Sequence, residues 1–180
     1  KKFSSLEYID YRHYTDLVSL KGIKCIFHEG ACSDTMEYDK DYMMDINYEY
    51  SKEIFSLAKS NKSKFIYASS AAVYGLNESS SEIPENESPL NIYAESKLLF
   101  DKYIMSQDYP AVGLRYFNVY GKGEEDKGKM ASMAYKMNHE YLESKRISLF
   151  KGTGGYGDGG QKRDFIYIDD VVSINMFFME

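Results

Sequence analysis

The sequence predicts an α/β fold in which helices flank a parallel β-sheet. Short apolar runs bounded by polar turns alternate along the 180 residues with segments of helical periodicity. Three of these runs end in small and polar residues, at positions 30–33, 69–72 and 118–121. Because ligands of open parallel sheets bind beyond the carboxyl ends of the strands, we expect these three segments to line one crevice.

In the first half of the chain, residues 23–27 and 65–68 are the strand candidates. Between them, apolar residues recur at steps of three and four, which predicts one buried helix face. Those residues are Met43, Ile46, Tyr50, Ile54 and Leu57. A polar stretch with Pro84 and Pro89 predicts a loop.

In the second half, Tyr93, Lys97, Phe100 and Ile104 fall on one side of a predicted helix. Residues 111–117 predict a third strand, and a methionine-rich helix follows at 130–142. Residues 147–150 predict a short strand, and residues 152–160 a glycine-rich loop. Residues 165–167 predict a last strand that leads into a helix.

Composition restricts the function classes. A net charge of −6 argues against a nucleic-acid partner, because no basic face is available for phosphates. No apolar run reaches the length of a membrane span, and no leader is visible, so a cytoplasmic protein is expected. Cys25 and Cys32 predict neither a disulfide framework nor, with three scattered histidines, a metal site. We expect both thiols to be reduced and mostly buried.

A tyrosine four residues before a lysine places both side chains on one helix face. The ammonium favours the phenolate, so the tyrosine pKa is expected to fall from about 10 toward the range of a general base. The spacing occurs three times, at Tyr93/Lys97, Tyr48/Lys52 and Tyr141/Lys145. Spacing alone therefore does not select the catalytic pair.

The sequence context favours Tyr93. Only this tyrosine lies a short loop downstream of a strand that ends in two serines, and Ser70 is placed to hydrogen-bond a substrate hydroxyl. Tyr48/Lys52 lies within an amphipathic helix, and Tyr141/Lys145 ends a helix, so both pairs receive a structural interpretation.

Three segments resemble the extended short-chain dehydrogenases/reductases that act on nucleotide sugars, the NAD-dependent epimerase/dehydratase family. They are residues 68–75 (ASSAAVYG), 93–97 (YAESK) and 114–121 (LRYFNVYG). Narrower segments, at 27–33, 42–45, 127–132 and 162–165, resemble the members that epimerise ADP-heptose at C6 of the sugar. This resemblance implies a Rossmann-type cofactor domain at 1–120 and 165–180, and a small substrate-binding lobe at 121–164. The first βαβ unit of the family is missing from the chain.

The resemblance also implies residue roles. Tyr93 matches the acid/base tyrosine, Lys97 the lysine that holds the nicotinamide ribose, and Ser70 the serine at the reacting hydroxyl. Lys127 is implied as a second acid/base and as a cofactor contact. Inversion gives a chemical reason for it, because the transient ketone must present its other face to a nicotinamide that delivers hydride from one side. Without the family, Lys127 is a solvated lysine among acidic residues.

Further matches concern binding. The cofactor contacts implied are Lys2, Glu29, Gly30, Ala31, Cys32, Ser33, Asn47 and Val119. The substrate contacts implied are Asn118, Lys129, Phe150 and Arg163, of which Arg163 suits a diphosphate. A surface ion pair of Arg163 with Asp158 or Asp164 is the competing interpretation.

The family implies NADP as cofactor, with NAD as the alternative, and a homo-oligomer, with a pentamer as one candidate. The glycine-rich phosphate loop and the residue that separates NAD from NADP are absent from the segments we recognise. Lys129 and the length of the loop at 152–160 depart from the family pattern. That loop does not open a helix, so we expect it to cover the substrate rather than to cradle a phosphate.

Two alternatives remain at this point. One is another nucleotide-sugar epimerase, such as a UDP-hexose 4-epimerase. The other is a non-catalytic member of the fold that senses dinucleotide redox state, which would need none of the proton-transfer residues Ser70, Tyr93 and Lys97.

Overall fold

The computed structural model describes residues 21–77 and 79–180. The strands are β1 (Cys25–His28), β2 (Lys64–Ser70), β3 (Ala111–Tyr116), β4 (Asn118–Tyr120) and β5 (Phe165–Tyr167). The helices are α1 (Lys40–Met44), α2 (Tyr50–Asn61), α3 (Ile92–Met105), α4 (Met133–Ser144) and α5 (Ile168–Met179). A π-helical turn, Asp45–Glu49, joins α1 to α2. Short 3₁₀ turns occupy Ala71–Tyr74, Pro84–Asn86 and Glu125–Met130.

A parallel sheet with the strand order β1-β2-β3 forms the centre of the fold. The helices that connect these strands, α2 and α3, share one apolar core with β2. Its members are Ile54, Phe55, Ala58, Phe65, Tyr67, Phe100 and Ile104. Because Phe65 and Tyr67 are two residues apart on a strand, they point to the same face, so α2 and α3 cover that face together. The predicted α/β class with a parallel sheet is confirmed.

The second sheet is small and separate. Its two strands, β4 and β5, pair in parallel, with Asn118 opposite Phe165 and Tyr120 opposite Tyr167. One residue, Phe117, separates β3 from β4 along the chain. The central sheet and the second sheet are therefore linked by a single residue.

Two predictions about elements are wrong. Residues 118–120 are not a loop at the end of β3 but a strand, because residues 165–167 provide a parallel partner. Residues 147–150 form no strand: Ile147, Leu149 and Phe150 are 46%, 62% and 56% exposed, and no described strand pairs with them. Their apolar character reflects another role, since Leu149 and Phe150 line a cavity.

The helical periodicity at 43–57 is confirmed as helix, but its buried face is shifted. Met43, Asn47, Ser51 and Ile54 are buried, whereas Ile46 and Tyr50 are half-buried. The π-helical turn accommodates one extra residue, which rotates the face that reaches the interior. As a result, two polar side chains, Asn47 and Ser51, point inward.

Candidate active site

Ser70, Tyr93 and Lys97 come together at the carboxyl end of β2. Ser70 is the last residue of β2, and Tyr93 lies in the first turn of α3. Asn91 caps that helix, its Oδ1 accepting a hydrogen bond from the Ala94 amide at 2.8 Å, which fixes where the first turn begins. A side-chain hydrogen bond joins Ser70 to Tyr93. The catalytic trio predicted from the sequence context is thus assembled in the fold.

Lys97 lies one turn after Tyr93 and is 5% exposed. Its Nζ donates a hydrogen bond to the Ala68 carbonyl oxygen on β2 at 3.0 Å. Burial lowers the pKa of Lys97 to about 8, while Asp101 and Glu29 oppose that shift by attraction. The ammonium therefore begins to lose its proton close to neutral pH.

The expected effect of Lys97 on Tyr93 is wrong for this structure. Burial raises the pKa of Tyr93, Cys32 adds to the rise, and the hydrogen bond with Ser70 offsets part of it. The physical reason is that the Lys97 ammonium is directed at the Ala68 carbonyl. Ser70 is the neighbour that favours the phenolate here.

The segment at 29–33 follows β1 and is anchored from behind by Asn47. The Asn47 side chain accepts a hydrogen bond from the Cys32 amide at 2.8 Å and donates one to the Cys32 carbonyl at 2.9 Å. It also donates to Ser96 Oγ at 3.1 Å, which connects this segment to α3. Asn47 is 1% exposed, so its role here is to hold the segment rather than to offer a polar surface.

These residues fit a dinucleotide. Among the described residues, Lys97 Nζ has one hydrogen-bond acceptor, the Ala68 carbonyl, for its three N–H donors. The remaining donors suit the diol of a ribose. A cavity of about 450 Å³ runs along β1 to residues 29–32, and a Cβ atom at Gly30 would meet open space. Ser33 is exposed at the end of this segment, and Lys2 lies outside the described residues.

A second cavity, of about 420 Å³, collects three of the predicted substrate contacts. Asn118, Phe150 and Arg163 line it together with Met133, Met137 and Leu149. The competing interpretation of Arg163 receives no support, since it forms no ion pair within residues 21–77 and 79–180, and Asp158 accepts from the Gly152 amide instead. Lys129 is exposed and is not part of this lining. Val119 is half-buried in β4, opposite Ile166.

The glycine-rich loop at 152–160 is closed on itself. The Gly159 amide donates to the Phe150 carbonyl at 2.8 Å, and Asp158 occupies the Gly152 amide. Gly159 also lines the second cavity. The loop therefore borders the predicted substrate cavity and uses an acidic side chain where a phosphate cradle would need free amides.

Lys127 lies on the exposed 3₁₀ turn Glu125–Met130. Within the described part of the chain its side chain makes no hydrogen bond or ion pair, and its nearest charged influence is on Glu124. Glu124 is 2% exposed and accepts hydrogen bonds from the Gly121 amide, the Ser132 amide and Ser132 Oγ. The turn that carries Lys127 is thus closed by a buried carboxylate, although the structure does not bring Lys127 against Tyr93.

The two other tyrosine–lysine pairs have structural surroundings. Lys52 pairs with Glu49 at 2.6 Å and lies 4.4 Å from the centre of the Tyr48 ring. Lys145 ends α4 in a left-handed conformation beside the exposed ring of Tyr141. Neither pair is close to a strand end that offers a serine.

Sequence reasoning missed the buried polar residues behind the trio. Asp101, one turn after Lys97, is 5% exposed, and Arg115 of β3 contacts it. The spacing of four residues from Lys97 was the available signal, because it puts Asp101 on the same helix face.

Other features of the described residues are briefly stated. Cys25 and Cys32 are free thiols, half-buried rather than mostly buried. Over residues 21–77 and 79–180, no cluster of histidine, cysteine or acidic residues could hold a metal ion. No helix in that part of the chain is long and apolar enough to cross a membrane.

Comparison with known proteins decides the family. The family described as "NAD dependent epimerase/dehydratase family" matches residues 2–180. The chain belongs to this family. It is 44% identical, over its whole length, to ADP-L-glycero-D-manno-heptose-6-epimerase of Thiobacillus denitrificans, and it spans 58% of that relative.

Solved members of the epimerase/dehydratase family agree. The chain is similar to ADP-L-glycero-D-manno-heptose-6-epimerase of Helicobacter pylori, with a TM-score of 0.80 and 38% identity over 94% of this chain and 52% of that one. It is also similar to UDP-N-acetylglucosamine 4-epimerase of Methanobrevibacter ruminantium, with a TM-score of 0.73 and 29% identity over 87% of this chain and 51% of that one. The chain therefore spans about half the length of the epimerases it matches.

Proposed function

We propose that the full-length protein interconverts ADP-D-glycero-D-manno-heptose and ADP-L-glycero-D-manno-heptose, a step in making the heptose of the lipopolysaccharide core. The observation that carries this proposal is the Ser70–Tyr93 hydrogen bond beside the buried Lys97, in a chain 44% identical to a heptose epimerase. The trio supports alcohol–ketone chemistry, and the relatives support the sugar.

The reaction removes a proton and a hydride from C6 and returns both with inversion. Tyr93 accepts the hydroxyl proton, and Ser70 holds the same oxygen by a hydrogen bond. The oxidised nicotinamide, when bound, takes up the hydride and adds a positive charge that favours the phenolate. Lys97 binds the ribose and keeps the phenol oriented. In the return step, Lys127 donates the proton to the oxygen after the ketone has turned.

The substrate is proposed to occupy the cavity lined by Asn118, Phe150 and Arg163. The Arg163 guanidinium offers bidentate hydrogen bonds to a diphosphate oxygen pair. Phe150 and the methionines beside it offer apolar area for a base or sugar face. Lys129, exposed nearby in sequence, is proposed to contact the substrate from the rim.

NADP is the proposed cofactor, with NAD as the alternative, bound by Lys97 and the segment at 29–33 that Asn47 anchors. Lys2, Val119 and Lys127 are proposed as further contacts. The protein is proposed to be cytoplasmic and to act as a homo-oligomer, with no nucleic-acid or membrane partner. Residues 1–120 and 165–180 are proposed as the cofactor domain and 121–164 as the substrate lobe.

The test is substrate choice. We expect the full-length protein with NADP to epimerise ADP-heptose, and to leave UDP-glucose unchanged, as followed by NMR of the sugar protons. Arg163→Ala is expected to raise KM for ADP-heptose more than it lowers kcat, since it removes binding to a part of the substrate that does not react. Turnover of UDP-glucose alone would replace this proposal by a UDP-hexose 4-epimerase.

A further inference from the structure

A buried polar cluster lies directly behind the Ser70–Tyr93–Lys97 trio. We call it the Asp101 cluster; its members are Asp101, Arg115, Tyr67, Ser69 and Glu87. Asp101 Oδ1 accepts from the Tyr67 hydroxyl at 2.9 Å, and Oδ2 accepts from Ser69 Oγ at 2.8 Å and from Arg115 Nε at 3.0 Å. Arg115 Nη2 in turn donates to Glu87 at 2.5 Å. The carboxylate of Asp101 is thus the centre of the cluster.

The neighbouring strand is shaped to admit this arrangement. Gly113 of β3 lies opposite Tyr67 in the sheet register. A Cβ atom there would come within 2.4 Å of the Tyr67 ring, so only glycine lets the ring cross β3 and reach Asp101. The Arg115 guanidinium also lies over the Tyr74 ring, at 5.0 Å.

The charges of the cluster do not balance internally. Asp101 and Glu87 carry two negative charges and share one guanidinium. Glu87 has a second cation at the surface, since the exposed Lys102 lies 3.9 Å from it. Asp101 is left with Lys97, one helical turn before it, as the additional buried cation.

Asp101 and Lys97 also join the same two elements. Lys97 connects α3 to β2 through the Ala68 carbonyl, and Asp101 connects α3 to β2 through Ser69. Ser70 is the next residue on β2, and Tyr93 lies one turn before Lys97 on α3. The distance between Ser70 and Tyr93 is therefore set by these two connections.

We propose that Asp101 is a positioning residue of this site: it holds the carboxyl end of β2 against α3, and its negative charge stabilises the Lys97 ammonium. The inference rests on the proposed function for what the site does, but its central measurement does not need turnover.

The charged and titratable groups around Lys97 come from three elements. Asp101 and Tyr93 face it from α3, His28 from β1, and Glu29 from the segment after β1. Burial lowers the pKa of Lys97, and Asp101 is the larger of the two opposing attractions. Removal of the Asp101 charge therefore lowers this pKa further, and the ammonium is lost at a lower pH.

The experiment compares Asp101→Asn with Glu87→Gln in the full-length protein. Both variants lose one negative charge and a charged bond to Arg115, but only Asp101 contacts Ser69 and influences Lys97. The Lys97 side chain is titrated by NMR with ¹³C-labelled lysine, its signal assigned by its loss in Lys97→Arg. We expect its pKa to fall by about one unit or more in Asp101→Asn and to stay in place in Glu87→Gln.

The same shift is expected in the alkaline limb of the pH profile of kcat/KM. An unchanged Lys97 titration in Asp101→Asn, or an equal shift in both variants, overturns the electrostatic part of the proposal. A normal shift in a protein that does not epimerise ADP-heptose leaves this inference intact and rejects the proposed function instead.

Ser69→Ala provides a second variant that keeps every charge and remains informative if Asp101→Asn does not fold. It removes the donor that joins Asp101 to the end of β2. We expect kcat to fall by roughly tenfold with little change in the Lys97 titration, because Ser70 is displaced from Tyr93. A wild-type kcat in Ser69→Ala overturns the positioning part.

Discussion

At the scale of single residues, burial separates Tyr93/Lys97 from the two pairs that share its spacing. Lys97 is buried at a strand end with unused donors, whereas Lys52 is neutralised by Glu49 and Lys145 caps an exposed helix end. The order of residues along the chain is the same in all three pairs. The difference arises from what the preceding strand brings to each helix.

Tyr93→Phe removes the hydroxyl and keeps the ring. We expect kcat for epimerisation to fall by about 10²–10⁴-fold, the usual worth of a positioned acid/base group, while dinucleotide binding stays measurable by fluorescence titration. Tyr141→Phe is the matched control, since Tyr141 is 48% exposed and has the same spacing to a lysine. Unchanged turnover in Tyr93→Phe would favour a protein that only senses the dinucleotide.

Lys127→Met tests the second acid/base. We expect a loss of roughly 10²-fold in kcat if the inverted ketone takes its proton from Lys127. Lys122→Met, another exposed lysine of the same segment, is expected to keep the wild-type rate. Equal rates for the two variants would return Lys127 to the role of a solvated lysine.

At the scale of elements, the π-helical turn Asp45–Glu49 determines which polar groups enter the interior. It turns Asn47 toward the Cys32 backbone, and Ser51 toward His28. Periodicity counted in steps of three and four assumes one uninterrupted α-helix, so it predicts Ile46 and Tyr50 as the buried residues instead.

Asn47→Ala leaves the Cys32 amide and carbonyl without their partners. We expect the free energy of unfolding to fall by about 2 kcal/mol, from two lost hydrogen bonds to buried or half-buried groups, as measured by urea denaturation. Dinucleotide affinity is expected to fall as well, because the segment at 29–33 loses its anchor. Asn61→Ala removes an asparagine that bonds only to Leu57 on the same helix, and it is expected to change affinity little.

The strands and the helix at Tyr93 were predictable because each carries a clear apolar pattern and a clear end. Residues 118–120 were not, since their partner at 165–167 lies more than forty residues away and no local signal announces the pairing. Residues 147–150 have a strand-like composition, but their apolar side chains serve a cavity. The direction of the Tyr93 pKa shift depends on where the Lys97 ammonium points, which spacing does not specify.

At the scale of the whole molecule, His28 links the core to acid stability. It is 7% exposed among the rings of Tyr50, Phe65 and Phe100, and its Nε2 donates to Ser51 Oγ at 2.7 Å. Burial, together with Lys97, lowers its pKa from 6.5 to about 4. The unfolded chain therefore binds a proton between these values that the folded chain refuses.

His28 contributes its full stability above pH 6.5, and that contribution declines as the pH falls toward about 4. The loss amounts to about 3 kcal/mol at most, measured as the change in free energy of unfolding between pH 7 and pH 4.5. His28→Gln keeps a donor for Ser51 and is expected to flatten this dependence. His139→Gln, on an exposed side chain, is expected to leave it unchanged.

The single residue between β3 and β4 has a consequence for how this chain divides its work. Proton transfer is set on the central sheet by Ser70 and α3, while Asn118, Phe150 and Arg163 gather around the second sheet beyond Phe117. Side chains on the second sheet can therefore be exchanged without rebuilding the trio. Such an arrangement lets a lineage acquire a new sugar by changing one surface while inheriting the same chemistry intact.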